Sequence, residues 1–514
     1  MSLDCGRGLN QIGLILFSCV TAYFLSFNVP EGNVLAQVPQ GTAPSSPQTP
    51  GGTSRSGPTQ LGPSSQGGVR TGPSSIGGNS TSLGQESFPG AARTSPAPSQ
   101  LTLSDAISLA IQNNLTTLLA EEQKRAAHGV VQQARSALLP NVAGLAYQAS
   151  LTLNLAALGF QPSTFPGIQT TFIGPFNNFD ARATLVQNIF DLSSIRNYQS
   201  SRAGVHIAEY QERLAREQVS EATGLFYLEV LRAERNVMAA QANVDLATAL
   251  FRLAQDQRSA GVATGVDVTR AETRLAQERV GLAQSQTSAE QSRLNLQRLI
   301  GVPLGSPLVL SDPLHFTVES LPTPDTAIAQ ALTTRSEILI SETELKSFSL
   351  ERKAVQDELL PSLQFVGDYG ISGITPTDTA LPTRRFAVQL NVPIFNGGLT
   401  QGRITVATSR ERQAQLELSS VRGQVEEDVR LALSALHTTI ERVTAAQEQL
   451  MLAQRELAMA RDRFIAGVAD NLEVINAQTS LANARASEIE ALAVYNAARL
   501  NLAASLGRAE TFRW

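Results

Sequence analysis

The sequence predicts a mainly α-helical protein that carries a membrane β-barrel, built from a duplicated unit of helix, two strands and a long helix pair. Three observations predict it. Two stretches roughly 206 residues apart are weak copies of each other: Arg293-Leu294-Asn295-Leu296 recurs as Arg499-Leu500-Asn501-Leu502, and Ala260-Gly261-Val262-Ala263 as Ala466-Gly467-Val468-Ala469. Proline, frequent elsewhere, is missing from residues 176–302 and 394–514, and both intervals are rich in Ala, Leu, Gln, Glu and Arg, which cost least in a helix. Between the helical stretches the apolar period changes from 3.6 to 2 in four segments.

The elements follow in chain order. Residues 1–36 read as a secretory signal peptide, with Arg7 as the basic start, an apolar run from Ile12 to Phe27, and small side chains at Val34-Leu35-Ala36. That run is shorter than the ~20 residues a spanning helix needs. Residues 37–100, dominated by Pro, Gly, Ser, Thr and Gln, have too little apolar surface to offset ordering entropy and are expected to be disordered. The first copy spans 101–302, a linker spans 303–324, the second copy spans 325–507, and 508–514 form a tail. The two cysteines, Cys5 and Cys19, would leave with the signal, which suits an oxidising compartment without requiring disulfides. A net charge of −5 gives no argument for a nucleic-acid partner.

Each copy opens with a shorter helix, over 102–138 and 326–359, ending at Pro140 and Pro361. The long helices carry apolar or small residues at 3–4 spacing. In the second copy these are Leu472, Ile475, Thr479, Ala482, Ala486, Ile489, Ala493, Asn496, Leu500 and Ala503; in the first, Val266, Thr269, Thr273, Ala276, Val280, Ala283, Thr287 and Leu294. A helix over about 196–257 would reach about 90 Å, natural in a tube and wasteful in a globule. The helix pairs reverse at residues 258–265 and 464–470, where glycine supplies backbone freedom and Thr264 and Asp470 can cap the returning helices.

The four alternating segments begin after Pro140, at about 179, after Pro361, and at about 384. Phe179, Ala181, Ala183 and Leu185 oppose Asp180, Arg182 and Thr184; Leu363, Phe365, Tyr369 and Ile371 oppose Gln364, Asp368 and Ser372; Phe386, Val388 and Leu390 oppose Gln389 and Asn391. In the first segment, Leu151, Leu153 and Leu155 are expected to meet lipid. The lumen set is then Gln148, Ser150, Thr152, Asn154, Gln364, Asp368, Ser372 and Gln389. Four strands cannot close a barrel, and an open edge in lipid leaves backbone groups unsatisfied, so sister copies must seal the edges. Three chains would give twelve strands and two would give eight.

With Ala260–Val268, Ala466–Val474, the Leu-Pro before each first strand, Pro393-Ile394-Phe395-Asn396-Gly397-Gly398 and the closing Leu506-Gly507, the chain resembles the outer-membrane efflux protein (TolC-like) family across residues 101–507. The resemblance implies a homotrimer in outer-membrane lipid, with a twelve-stranded barrel over a long α-helical tunnel in the periplasm. It also implies a periplasmic adaptor (membrane fusion) protein and an inner-membrane transporter that supplies energy. Adaptor contacts would fall on Gly261, Val262, Ala263 and Thr264, and on Gly467, Val468, Ala469 and Asp470. The periplasmic gate would map to Glu473 and Asn476, with Asp267 as the first-copy counterpart. The family pattern has a basic residue where this chain has Ala469 and a second acid where it has Asn476, so its lock between helices is absent or built differently.

The function implied is the outer-membrane channel component of a tripartite efflux or type I secretion system. The rival is a non-conducting periplasmic helical scaffold or adaptor. Neither is an enzyme: His128, His206, His315 and His437 have no metal-ligand spacing, and no phosphate-cradling Gly-Lys-Ser/Thr loop is present, so no cofactor is expected.

Overall fold

The computed structural model describes residues 88–96, 98, 100–158, 170–317, 321–466, 468 and 471–513. The expected signal peptide, residues 37–87, the turn positions Gly467, Ala469 and Asp470, and Trp514 lie outside the described residues.

The first copy runs α1 (Leu103–Asn113), α2 (Leu115–Ser136), β1 (Asn141–Asn154), β2 (Phe172–Phe190), α3 (Leu192–Ser259) and α4 (Gly265–Ile300). The second runs α5 (Pro324–Thr334), α6 (Ser336–Asp357), β3 (Ser362–Gly373), β4 (Leu381–Asn391), α7 (Leu399–Ile465) and α8 (Asn471–Ser505). At 68 residues, α3 extends about 100 Å. Among the described residues no helix is long and apolar enough to cross a membrane.

The opening helix of each copy, expected as one piece, is two. At Asn114 the backbone is extended (φ −69°, ψ 139°), and the side chain caps α2 by accepting from Thr116 N–H at 2.9 Å. Arg335 makes the equivalent break between α5 and α6 (φ −67°, ψ 131°). Residues 88–100, expected within the disordered segment, are ordered where they are described. Ala91 N–H donates to Arg298 O (2.9 Å), Ala92 N–H to Asn113 O (2.7 Å) and Ser95 N–H to Gly301 O (2.7 Å). Arg298 and Asn113 are the last-turn carbonyls of α4 and α1, which have no intrahelical partner, so the segment completes two helix ends rather than building a core of its own.

The helices bury two main clusters, one per copy. Leu101, Leu103, Ile107, Val219, Tyr227, Leu296 and Ile300 form the first. Ile338, Val425, Val429, Leu433, Val443, Tyr495 and Leu502 form the second. The Tyr227 hydroxyl donates to Leu101 O (3.0 Å) and Asp312 Oδ2 (2.9 Å), so the linker after α4 is pinned to the first core. Toward the helix reversals a smaller cluster of Leu250, Ala460, Phe464, Val474 and Ala477 draws on both copies.

The expected helical seams fare differently. In the last turns of α8, Ile489, Ala493, Asn496 and Leu500 are buried as expected. Near its start the buried positions are Val474, Ala477, Gln478, Leu481 and Ala484, while Leu472 and Ala486 are exposed. In α4 the buried stripe is Val268, Ala271, Leu275, Ala289, Ser292 and Leu296, and Val266, Thr269, Thr273, Ala276, Val280, Ala283 and Thr287 are exposed. Two residues along a helix turn about 200°, so the expected stripe of α4 lies on the side away from α3.

The sheet order is β1-β2-β3-β4, all antiparallel, which leaves β1 and β4 as the two edges. β2 starts at Phe172, earlier than expected, because residues before 179 pair with the end of β1 across a register shift at Leu151/Leu153. Pro175 sits at that irregularity, where a missing N–H is tolerated.

Candidate functional site

Two regions carry the expected site residues: the sheet and the two helix reversals. In the sheet, directly opposed residues share a face. Asp180 opposes Ser372, Thr184 opposes Asp368, Asp368 opposes Arg385 and Gln364 opposes Gln389. These residues therefore lie on one polar side, together with Arg182. The other side of β2 to β4 carries Phe179, Ala181, Leu185, Phe365, Tyr369, Phe386, Val388 and Leu390. There the rings of Phe365 and Phe386 stack at 6.4 Å over Gly367.

The register corrects the reading of β1. Gln148 opposes Phe179 and Ser150 opposes Asn177, while Tyr147 opposes Asp180 and Leu145 opposes Arg182. Gln148 and Ser150 thus sit on the apolar side, and by the two-residue period Thr152 and Asn154 go with them. Leu151 and Leu153 fall on the side of Asp180, and Leu155 has already left the strand for a 3-10 turn. Gln148 and Asp368 cannot line one lumen. Gln364, Asp368, Ser372 and Gln389 stay together.

At the reversals the sequence repeat becomes a repeated geometry. Val262 N–H donates to Gln257 O (2.9 Å), and Val468 N–H donates to Arg463 O (3.0 Å), the same six-residue closure in both copies. Gly261 turns the chain with φ +78°. Val262 and Val468 project at 74 % and 70 % exposure. Ala263 is partly covered and Thr264 is exposed.

The gate candidates are tied into the ends of the returning helices. Thr264 and Asp267 form a capping box for α4: the Thr264 hydroxyl donates to Asp267 Oδ2 (2.6 Å), and Asp267 N–H donates back to Thr264 Oγ1 (3.3 Å). These bonds, the hydroxyl's first, hold the Asp267 carboxyl below the usual carboxylate range. Glu473 pairs with Arg463 across the second reversal at 3.4 Å. Asn476 is exposed.

Two residues outside the sequence-derived set join the copies here. Asn471, 3 % exposed, donates from Nδ2 to Asp267 O at 2.9 Å, and Gln257 donates to Phe464 O at 3.4 Å. Asn at a helix start can cap its own helix or bond to a neighbour, and only the fold shows which Asn471 does.

Comparisons with known proteins agree with this architecture. The family model described as outer membrane efflux protein matches residues 106–302 and 327–508, one block per copy. The pyoverdine export outer membrane protein OpmQ of Pseudomonas aeruginosa is 23% identical over 297 residues, covering 57% of this chain and 62% of the relative, less than two thirds of its length. The alkaline protease secretion protein AprF of the same organism is 26% identical over 413 residues, covering 75% of this chain and 80% of the relative. The crystal structure of the outer membrane protein VceC from Vibrio cholerae shares the fold with a TM-score of 0.68 at 18% identity, over 79% of this chain and 96% of that one. With both of its copies matched, the chain belongs to the outer membrane efflux protein family.

Proposed function

We propose that three copies of this outer-membrane protein close their four-stranded sheets into one twelve-stranded barrel, continued below by a tunnel of the long helices. The assembly is the passive outer-membrane channel of a tripartite efflux or type I secretion system. The observation that carries this reading is the sheet itself: in β2 to β4, Asp180, Arg182, Asp368 and Arg385 share one side and Phe179, Phe365, Phe386 and Val388 the other, and among the described residues the edges at β1 and β4 have no partner strand. In lipid such edges must be sealed by other subunits.

A periplasmic adaptor docks at the reversals through Gly261, Val262, Ala263 and Thr264 and through Gly467, Val468, Ala469 and Asp470, and an inner-membrane transporter drives the cargo. The exposed Val262 and Val468 supply matched apolar knobs for that contact. Glu473, with Asn476 and the counterpart Asp267, guards the periplasmic entrance. Gln364, Asp368, Ser372 and Gln389 face the barrel lumen. Residues 1–36 act as the export signal.

Planar-bilayer recording of the purified protein tests the reading, in wild type and in Glu473→Ala. Stepwise conductance in the wild type, with altered cation response in the variant, is expected. A wild type that inserts no conducting unit would favour the periplasmic scaffold instead, and an unchanged cation response would remove Glu473 from the entrance.

A further inference from the structure

The charged side of the sheet is concentrated at mid-strand. Arg182 Nε donates to Asp180 Oδ1 at 2.6 Å and Arg182 Nη1 to Asp368 Oδ1 at 3.3 Å, while Arg385 Nε donates to Asp368 Oδ2 at 3.0 Å. The four residues thus form one chain of ion pairs across β2, β3 and β4. Its members are unequally covered. The Asp180 and Asp368 side chains are 8% and 7% exposed, while those of Arg182 and Arg385 are 31% and 64% exposed. Gly370 makes room for this arrangement: it opposes Arg182, and a Cβ there would stand 2.5 Å from the Cβ of Arg182.

We propose that these residues form an anion-attracting collar inside the barrel, with the carboxylates packed against the wall and the guanidinium groups turned to the water. The proposal rests on the reading that the polar side lines a lumen. The acids cancel the net charge but sit deeper, so a passing solute meets the positive end of each pair first. In a narrow aqueous path between low-dielectric walls such fields are focused and change local ion concentrations strongly. Two guanidinium groups from each of three chains would stand in the barrel. The solutes favoured are small anions and acidic segments of a cargo.

Reversal potentials across a KCl gradient in planar bilayers test this. Arg385→Gln should lower the chloride-to-potassium permeability ratio by about fivefold, Arg385→Lys should hold it near wild type, and Arg384→Gln, on the apolar side opposite Tyr369, should not change it. Channels that conduct normally with the same ratio in Arg385→Gln would overturn the collar and leave the channel reading standing. A ratio that falls equally in Arg384→Gln would also overturn it, because the effect would not belong to the lumen side. A wild type with no conductance at all would overturn the channel reading, and the collar with it.

Discussion

The side-chain amide of Asn471 donates to the backbone carbonyl of Asp267 across 2.9 Å, joining the first turn of α8 in the second copy to the first turn of α4 in the first. With Gln257 bonded to Phe464 O, it makes the two reversals one unit. A partly buried hydrogen bond of this kind contributes about 1 kcal/mol net. Asn471→Ala should therefore loosen the tips without unfolding the rest. Hydrogen exchange should show faster exchange at the amides of residues 264–275 and 471–478. Protection unchanged in both stretches would mean that the bond does not couple the copies.

Thr264→Ala removes the capping partner of Asp267 and should cost about 1 kcal/mol of helix-end stability. The folded carboxyl is held low, so its contribution is present above the unfolded value near 3.9 and is lost as pH falls through the folded value. Without the Thr264 hydroxyl its titration should move up toward the unfolded value. Carboxyl-labelled NMR of Asp267 in the two proteins measures the shift, and coincident titrations would contradict the assignment.

Burial pushes the Glu221 carboxyl above the ordinary range; Arg335 opposes this, and Glu337 and Asp428 add to it. A carboxyl raised in the folded state stabilises below its unfolded value, about 4.3, and that contribution is lost as pH rises through the folded value. Glu221→Gln should therefore raise the melting temperature at about pH 7.5 more than at about pH 5. Thermal unfolding of the detergent-solubilised protein at both values checks the sign, and a larger gain at the acidic value would reverse it.

The register of β1 makes a paired prediction. Val388 lies on the apolar side of the sheet, and Leu151 on the side of Asp180. An arginine facing hydrocarbon near mid-membrane costs about 2–4 kcal/mol, whereas a lumen substitution costs far less. Val388→Arg should sharply reduce outer-membrane assembly and Leu151→Arg should not. Membrane fractionation of both variants decides, and the opposite ranking would restore the face expected from the sequence.

What the sequence revealed and what it hid follow from contrast between faces. In β3 and β4 one parity holds Phe365, Tyr369, Phe386 and Val388 and the other holds Asp368, Arg385 and Gln389, so either strand alone reports its orientation. In β1 the alternation is clear, with Ala143, Leu145, Tyr147, Leu151 and Leu153 on one parity and Gln148, Ser150, Thr152 and Asn154 on the other, but its apolar parity pairs onto the side of Asp180 and Arg182, which only the register with β2 reveals. In α4, Thr and Ala recur on two sides: Val268, Ala271 and Leu275 are buried within the single chain, and the expected stripe of Val266, Thr269 and Thr273 is exposed there. The reversals were legible because the repeat marks them twice. The bridge from Asn471 to Asp267 was hidden because it joins residues about 204 positions apart, which no local pattern connects.

A closed barrel requires sister copies to seal the edges at β1 and β4. The polypeptide mass of the purified, detergent-solubilised protein, obtained by light scattering with the detergent contribution subtracted, tests this directly. Three copies per particle is the predicted result. A single copy that stays dissolved and folded after the detergent is removed would contradict it.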